Sequence, residues 1–143
     1  MTRYALLVRG INVGGKNKVV MAQLRQELAE LGLENVETYI NSGNIFFDSS
    51  KARTLLVESL QGFFEVHYPF IKSFSLVSQE DYEEELRTLP AWWFQEMARK
   101  DVLFYTEGLH VETVVEKVKT LQLLDEVLHF GKHGIFWGKL SEE

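Results

Sequence analysis

Apolar positions recur along this chain with two different periods, and each change of period marks a new element. Residues 4–13 open as an apolar run of strand length and predict the first strand. Met21, Leu24, Leu28 and Leu31 then recur at helical spacing, predicting a helix over about 20–31 that stops at Gly32. Residues 36–40 and 45–48 read as two strands joined by the turn Asn41-Ser-Gly-Asn44. Ser49 or Ser50 is placed to cap a second helix reaching about residue 64, with Leu55, Leu56, Leu60 and Phe63 or Phe64 inward. Pro69 closes that connection, and residues 70–77 predict a fourth strand. The order is βαββαβ, the split βαβ or ferredoxin-like unit.

The pattern then changes and starts again. Ser78-Gln-Glu-Asp81 predicts a capping box for a short helix ending at Leu86 or Arg87, with Glu80, Asp81, Glu83, Glu84 and Glu85 as a solvated acidic face. Ala91-Trp-Trp-Phe94 follows Pro90; paired tryptophans in a small protein plug the seam between packed units more often than they grip a ligand. Residues 101–106 predict a strand, and 111–121 a helix carrying Val111, Val114, Val115 and Val118 on one face. Residues 126–130 and 135–137 form a hairpin about Gly131-Lys-His-Gly134. Gly134-Ile-Phe-Trp137 echoes Gly43-Asn-Ile-Phe-Phe47, which predicts an internal duplication. The fold class is therefore α+β, two tandem ferredoxin-like units with the second incomplete at its C-terminus. The expected layout is a first unit over 1–78, a helical, tryptophan-rich connector over 79–99, and a truncated second unit over 100–143.

Composition narrows the class. At 143 residues, with 45% hydrophobic and 13% aromatic side chains, the chain can build a genuine core. No apolar run reaches membrane-spanning length and no signal-peptide layout opens the chain, so a cytoplasmic protein without membrane contact is expected. Cysteine is absent, which excludes disulfides, thiolate metal sites and cysteine nucleophiles. The net charge of −6 hides an asymmetry: the first 26 residues carry Arg3, Arg9, Lys16, Lys18 and Arg25 and no acid. A cationic N-terminal segment on an anionic body attracts a small anion locally while repelling a long polyanion.

The cationic stretch is also where strand, glycine loop and helix start follow one another. Gly14-Gly15 sits between the first strand and Lys16 and Lys18, an order that brings backbone N–H groups up to an anion. Neither the full phosphate-loop nor the dinucleotide fingerprint is present. With strand order 4-1-3-2, the end of strand one and the turn between strands two and three share one end of the sheet. That places Arg9, Asn12, Gly14, Gly15 and Lys16 beside Ser42, Gly43 and Asn44. Arg9 offers a fork for a carboxylate or phosphate, Lys16 a point charge, and Asn12, Ser42 and Asn44 orienting hydrogen bonds. The same residues also suit a self-satisfied network that merely ties two turns together.

Other chemistry has little support. His67, His110, His129 and His133 are scattered without ligand spacing, so no metal site and no cofactor are expected. No GxSxG elbow occurs, and no catalytic acid, base or nucleophile can be nominated.

Through Arg9-Gly-Ile-Asn-Val-Gly-Gly-Lys16 and Tyr39-Ile-Asn-Ser-Gly-Asn44 the sequence resembles a widespread bacterial family known as domain of unknown function 1697. The resemblance covers essentially the whole chain. It implies a cytoplasmic α+β protein of two ferredoxin-like halves, with no catalytic residues to carry over. It also implies a further helix and a strand with an Arg-Asn-Trp-like motif beyond residue 143, which makes the chain look like a fragment.

The leading expectation for function is binding of a small anionic, phosphate- or nucleotide-like ligand at the glycine–lysine loop. The alternative is a nucleic-acid-binding or protein-interaction module without catalysis. Nucleic acid is disfavoured because Gly43-Asn-Ile-Phe-Phe47 lacks the basic residue and aromatic spacing of RNA-recognition domains and the chain is acidic overall. Phe130, Phe136 and Trp137 put bulk on both faces of the last hairpin, so self-association through the C-terminal half is expected.

Overall fold

The computed structural model describes residues 1–12, 14–39, 43–123 and 125–140. They fall into two compact units, Met1–Gln79 and Glu80–Glu143. The class is α+β, with antiparallel strand pairing in both sheets.

In the first unit the elements are β1 (Thr2–Val8), α1 (Met21–Glu30), β2 (Glu34–Tyr39), β3 (Asn44–Ser49), α2 (Arg53–His67) and β4 (Phe74–Ser78). The sheet runs β2-β3-β1-β4, an order compatible with a ferredoxin-like βαββαβ unit. Alternation on β1 and β3 sends Tyr4, Leu6, Val8, Ile45 and Phe47 to one face. Leu24 and Leu28 of α1 and Leu56, Leu60 and Phe64 of α2 join them in one core. Fully burying each such side chain stabilises the fold by roughly 1.5–3 kcal/mol.

Among the expected boundaries that move, these have a clear local reason. β1 stops at Val8 rather than continuing to residue 13, because Gly10 (φ 75°) and Asn12 (φ 53°) turn left-handed and break the ladder. α2 begins after Ala52, not after a serine cap. Ser49 is instead the last residue of β3, and its hydroxyl accepts the Lys51 N–H at 3.2 Å. β4 starts at Phe74, because Tyr68 and Ile71 close a turn (Ile71 N–H to the Tyr68 carbonyl, 2.9 Å) where extended chain was expected.

The second unit comprises α3 (Gln79–Arg87, whose first residue lies at the boundary), a 3-10 turn at Ala91–Phe94, β5 (Arg99–Phe104), α4 (Val111–Lys119), β6 (Glu126–Phe130) and β7 (Gly134–Lys139). Its sheet runs β5-β7-β6. Among the described residues its buried hydrophobics are Ile135 and Phe136. The valine stripe of α4 is only half covered, with Val111 exposed and Val114, Val115 and Val118 intermediate. The hairpin covers more than expected: Phe136 is fully buried beneath Trp93, whose ring meets it edge-on at 5.1 Å. Trp92 and Met97 pack over Gly138 on that same face of β7, which is why the tryptophans lie within this unit.

The two sheets share a register. Leu7 pairs with Asn44 on β1 and β3, Phe104 with Gly134 on β5 and β7, and both ladders continue in step to Thr2/Ser49 and Arg99/Lys139. One residue beyond each ladder the Val8 N–H donates to the Gly43 carbonyl (2.9 Å) and the Tyr105 N–H to the His133 carbonyl (3.0 Å).

Candidate functional site

The segment between β1 and α1 is a tight loop held by its own asparagines. Asn17 donates from Nδ2 to the Gly10 carbonyl (2.9 Å), and the Asn12 N–H donates to the Asn17 carbonyl (3.0 Å). Asn12 Oδ1 accepts the Val19 N–H at 2.8 Å, fixing the entry to α1. Asn12 and Asn17 hold positive φ (53° and 54°), as do Gly14 and Gly15, so the backbone is locked into a compact left-handed path. Short asparagine side chains that bond locally are what such positions tolerate.

Two features of this loop are unsatisfied. The Asn12 Nδ2 donor is buried and has no hydrogen-bond partner among the described residues. Its orientation is settled, since swapping the amide would forfeit the bond from Val19. The side chains of Arg9, Lys16 and Lys18 are exposed and make no ion pair or hydrogen bond to the described residues.

Gly43, the residue before β3, lies against the end of β1, as the strand order requires: its carbonyl accepts the Val8 N–H at 2.9 Å. Gly43 (φ 79°) approaches β1 so closely that a Cβ there would stand 2.1 Å from the Val8 carbonyl oxygen, so only glycine fits. Asn44 is the first residue of β3, opposite Leu7. Arg9, Asn12, Gly14, Gly15 and Lys16 thus share one end of the sheet with Gly43 and Asn44, while Ser42 lies outside the described residues.

Sequence reasoning missed two polar centres. Glu85 is not part of a solvated face: it is 5% exposed, and its carboxylate accepts the His133 N–H (2.8 Å) and the Lys132 N–H (3.1 Å). A Cβ on Gly131 would collide with Glu85 Oε1 at 2.3 Å, so the turn is shaped around the carboxylate. Tyr105 lies beside it, donating from its hydroxyl to the Gly131 carbonyl at 3.1 Å. Burial first, and the Glu85 charge second, push the Tyr105 hydroxyl above the ordinary tyrosine value. The one hint in the sequence was Tyr82, three residues earlier on the same helix face, which packs on Phe104 (6.2 Å).

The second centre joins α1 to the end of α2. The buried Tyr68 hydroxyl donates to Glu27, and His67 Nδ1 stands 3.4 Å from the other oxygen of that carboxylate. Desolvation, then the Glu27 hydrogen bond, raise the Tyr68 hydroxyl well above its ordinary value. The arrangement ties two helices together and faces no cavity among those described.

A cleft of about 420 Å³ lies on the second sheet, lined by Arg99, Asp101, Leu103, Glu126, Trp137 and Lys139. Its polar groups largely satisfy one another: Arg99 Nε donates to Asp101 (2.7 Å), and the Trp137 indole N–H to Glu126. Among the described residues no group of three or more His, Asp or Glu is placed to hold a metal ion, and no helix is long and apolar enough to cross a membrane.

The molecule is thus an α+β protein of two antiparallel sheets with a cationic, internally bonded loop at the end of its first strand. The chain belongs to the family described as "Protein of unknown function (DUF1697)", which matches residues 1–136. Among solved structures it is similar to the conserved bacterial protein SP0830 from Streptococcus pneumoniae, at 71% identity and a TM-score of 0.96. That likeness covers 99% of this chain and 78% of the other. No curated protein matches the chain.

Proposed function

We propose that the loop between β1 and α1, with the β2–β3 turn at its base, binds a small anionic ligand of phosphate or nucleotide kind. The observation that carries this reading is the buried Asn12 Nδ2 donor without an acceptor. A buried donor left unpaired costs about 1–3 kcal/mol, and an anion entering the loop supplies the missing acceptor. Arg9, Lys16 and Lys18 surround that donor in sequence with unpaired positive charge, and the first 26 residues hold no acid to neutralise it. Arg9 would supply a two-pronged contact, Lys16 a point charge, Gly14 and Gly15 close backbone approach, and Ser42 and Asn44 orienting bonds.

The shared strand register favours a further reading of the fold: the two units are copies of one ferredoxin-like ancestor, with β5-α4-β6-β7 corresponding to β1-α1-β2-β3. Ile45 and Phe47 then correspond to Ile135 and Trp137, in keeping with the sequence echo.

Calorimetric titration of the full chain with nucleotides and phosphorylated small molecules tests the binding. Saturable binding weakened about tenfold or more by Arg9→Ala is expected, the size of one charge-assisted contact. If nothing binds in a way that Arg9→Ala weakens, the reading fails.

A further inference from the structure

The cleft of about 420 Å³ on the second sheet changes character along its strands. The ladders set its rows. Glu126, Lys139 and Arg99 stand side by side at one end, Trp137 and Asp101 follow two residues along, and Leu103 comes two further, opposite Ile135. Positions two apart on a strand share a face, so these side chains line one surface about 13 Å long, charged at one end and apolar at the other. Leu103 is 37% exposed and Trp137 half-buried, which leaves apolar surface open at that second end.

The charged end is only partly self-satisfied. Arg99 and Lys139 are direct partners across the β5–β7 ladder, where like charges repel. Arg99 Nε donates to Asp101 at 2.7 Å, yet the two side chains remain 74% and 44% exposed. The Lys139 ammonium makes no ion pair or hydrogen bond to the described residues, although Glu126 stands opposite it on β6. Glu126 accepts the Trp137 indole N–H instead. A cation without a partner beside a second cation is a place where an added carboxylate lowers the energy twice, by pairing one charge and by screening the other.

We infer that this cleft binds a zwitterionic α-amino acid with an apolar side chain. The ligand carboxylate sits between Arg99 and Lys139, its ammonium is taken by the neighbouring Asp101, and its side chain lies along Trp137 and Leu103. Charge decides among ligand classes. Arg99 and Lys139 against Asp101 and Glu126 sum to zero, so a phosphate or a nucleotide would be held by the cations and repelled by the acids beside them. A zwitterion matches both signs within one head group. The volume agrees, since small-molecule sites span about 300–1,000 Å³ and combine apolar walls with a few placed polar groups. This site is independent of the glycine–lysine loop, and either can fail without the other.

The test is an NMR titration of ¹⁵N-labelled full chain with L-leucine, on dilute protein because self-association through this half of the chain is expected. Isocaproate and isoamylamine, which keep the side chain but only one of the two charges, form separate arms, with sodium chloride as the ionic-strength control. Leucine should shift the Trp137 indole N–H saturably, and each one-charge analogue should bind about tenfold more weakly, the size of one charge-assisted contact. Lys139→Met keeps the stem and removes the charge, and should raise the leucine Kd about tenfold. An indole signal that leucine never brings to saturation overturns the inference. So does isocaproate binding as tightly as leucine, which would leave the acids without a role, and so does undiminished leucine binding by Lys139→Met.

Discussion

Asp48, on β3, shows how a single carboxyl can be tuned from across a sheet. Asn35 donates to it from Nδ2 at 2.8 Å and Arg3 from Nη1 at 3.3 Å. The Asn35 hydrogen bond first, and Arg3 after it, hold the carboxyl below its ordinary value of 3.8 despite the opposing pull of desolvation. A depressed folded-state value means that the stabilisation is complete above the ordinary value and is lost as pH falls through the lower one. Carbon-13 NMR titration should find Asp48 protonating later on acidification than an ordinary aspartate. Asn35 sits at φ 50°, so Asn35→Gly removes the amide without straining the backbone. That variant should move the Asp48 titration back toward the ordinary range; an unchanged midpoint would exclude Asn35 as the main cause. The pairing was invisible in sequence because Asn35 and Asp48 meet only through the β2–β3 ladder, where the register slips between Glu34 and Glu37.

At the scale of elements, helix identity was legible, and the start of α2 was the one helix start that was not. The apolar spacing of α1 and α2 follows from burying one stripe against the sheet, and Leu24, Leu28, Leu56 and Leu60 are fully buried as that spacing requires. The start of α2 was misplaced because Ser49 and Ser50 satisfy a capping preference that the strand overrules. β3 retains Ser49, 4% exposed, so the chain must run on to Ala52 before it can turn. Ala52 has the extended backbone of a capping residue but no side chain that can accept an N–H. Ala52→Ser should therefore stabilise the fold by about 0.5–1 kcal/mol in urea unfolding, with an unchanged m-value. A neutral or destabilising result would show that the first turn of α2 is already satisfied. α3 failed differently: four of its five acids suit a solvated face, and beyond the position of Tyr82 nothing in the chain set Glu85 apart from Glu83 or Glu84. Only the β6–β7 turn made that distinction.

At the scale of the molecule, the second sheet is the smaller, with three strands in the order β5-β7-β6. β5 pairs with β7 on one side and has no described partner on the other, and Leu103 (37% exposed), Leu109 and Val111 leave apolar surface wet. Each Å² of such surface costs about 25 cal/mol, and a free strand edge offers unpaired N–H and C=O groups. We expect two copies of the chain to associate through β5 and the α4 stripe. Light scattering across a concentration series should show the mass rising toward a dimer, and Leu103→Lys should return it toward the monomer. A constant monomer mass at the highest concentration would refute this. The Trp92–Trp93 segment already covers the Phe136 face, so the association is expected on the opposite one.

What the sequence determined by itself is whatever depends on local period and turn chemistry. The order of strands and helices, the cores of α1 and α2 and the stop before Gly32 all followed from spacing within a dozen residues. The meeting of the end of β1 with Gly43 followed too, because a βαββαβ order permits few sheet arrangements. What only the tertiary structure decided is where long-range partners override local preference. The Ser49 hydroxyl faces Lys51 rather than a helix end, Asn12 keeps one amide donor without an acceptor, and Glu85 leaves solvent for two backbone N–H groups on a turn 47 and 48 residues away. A buried polar group has to be satisfied by whatever the fold brings to it, and that partner has no fixed spacing in the chain.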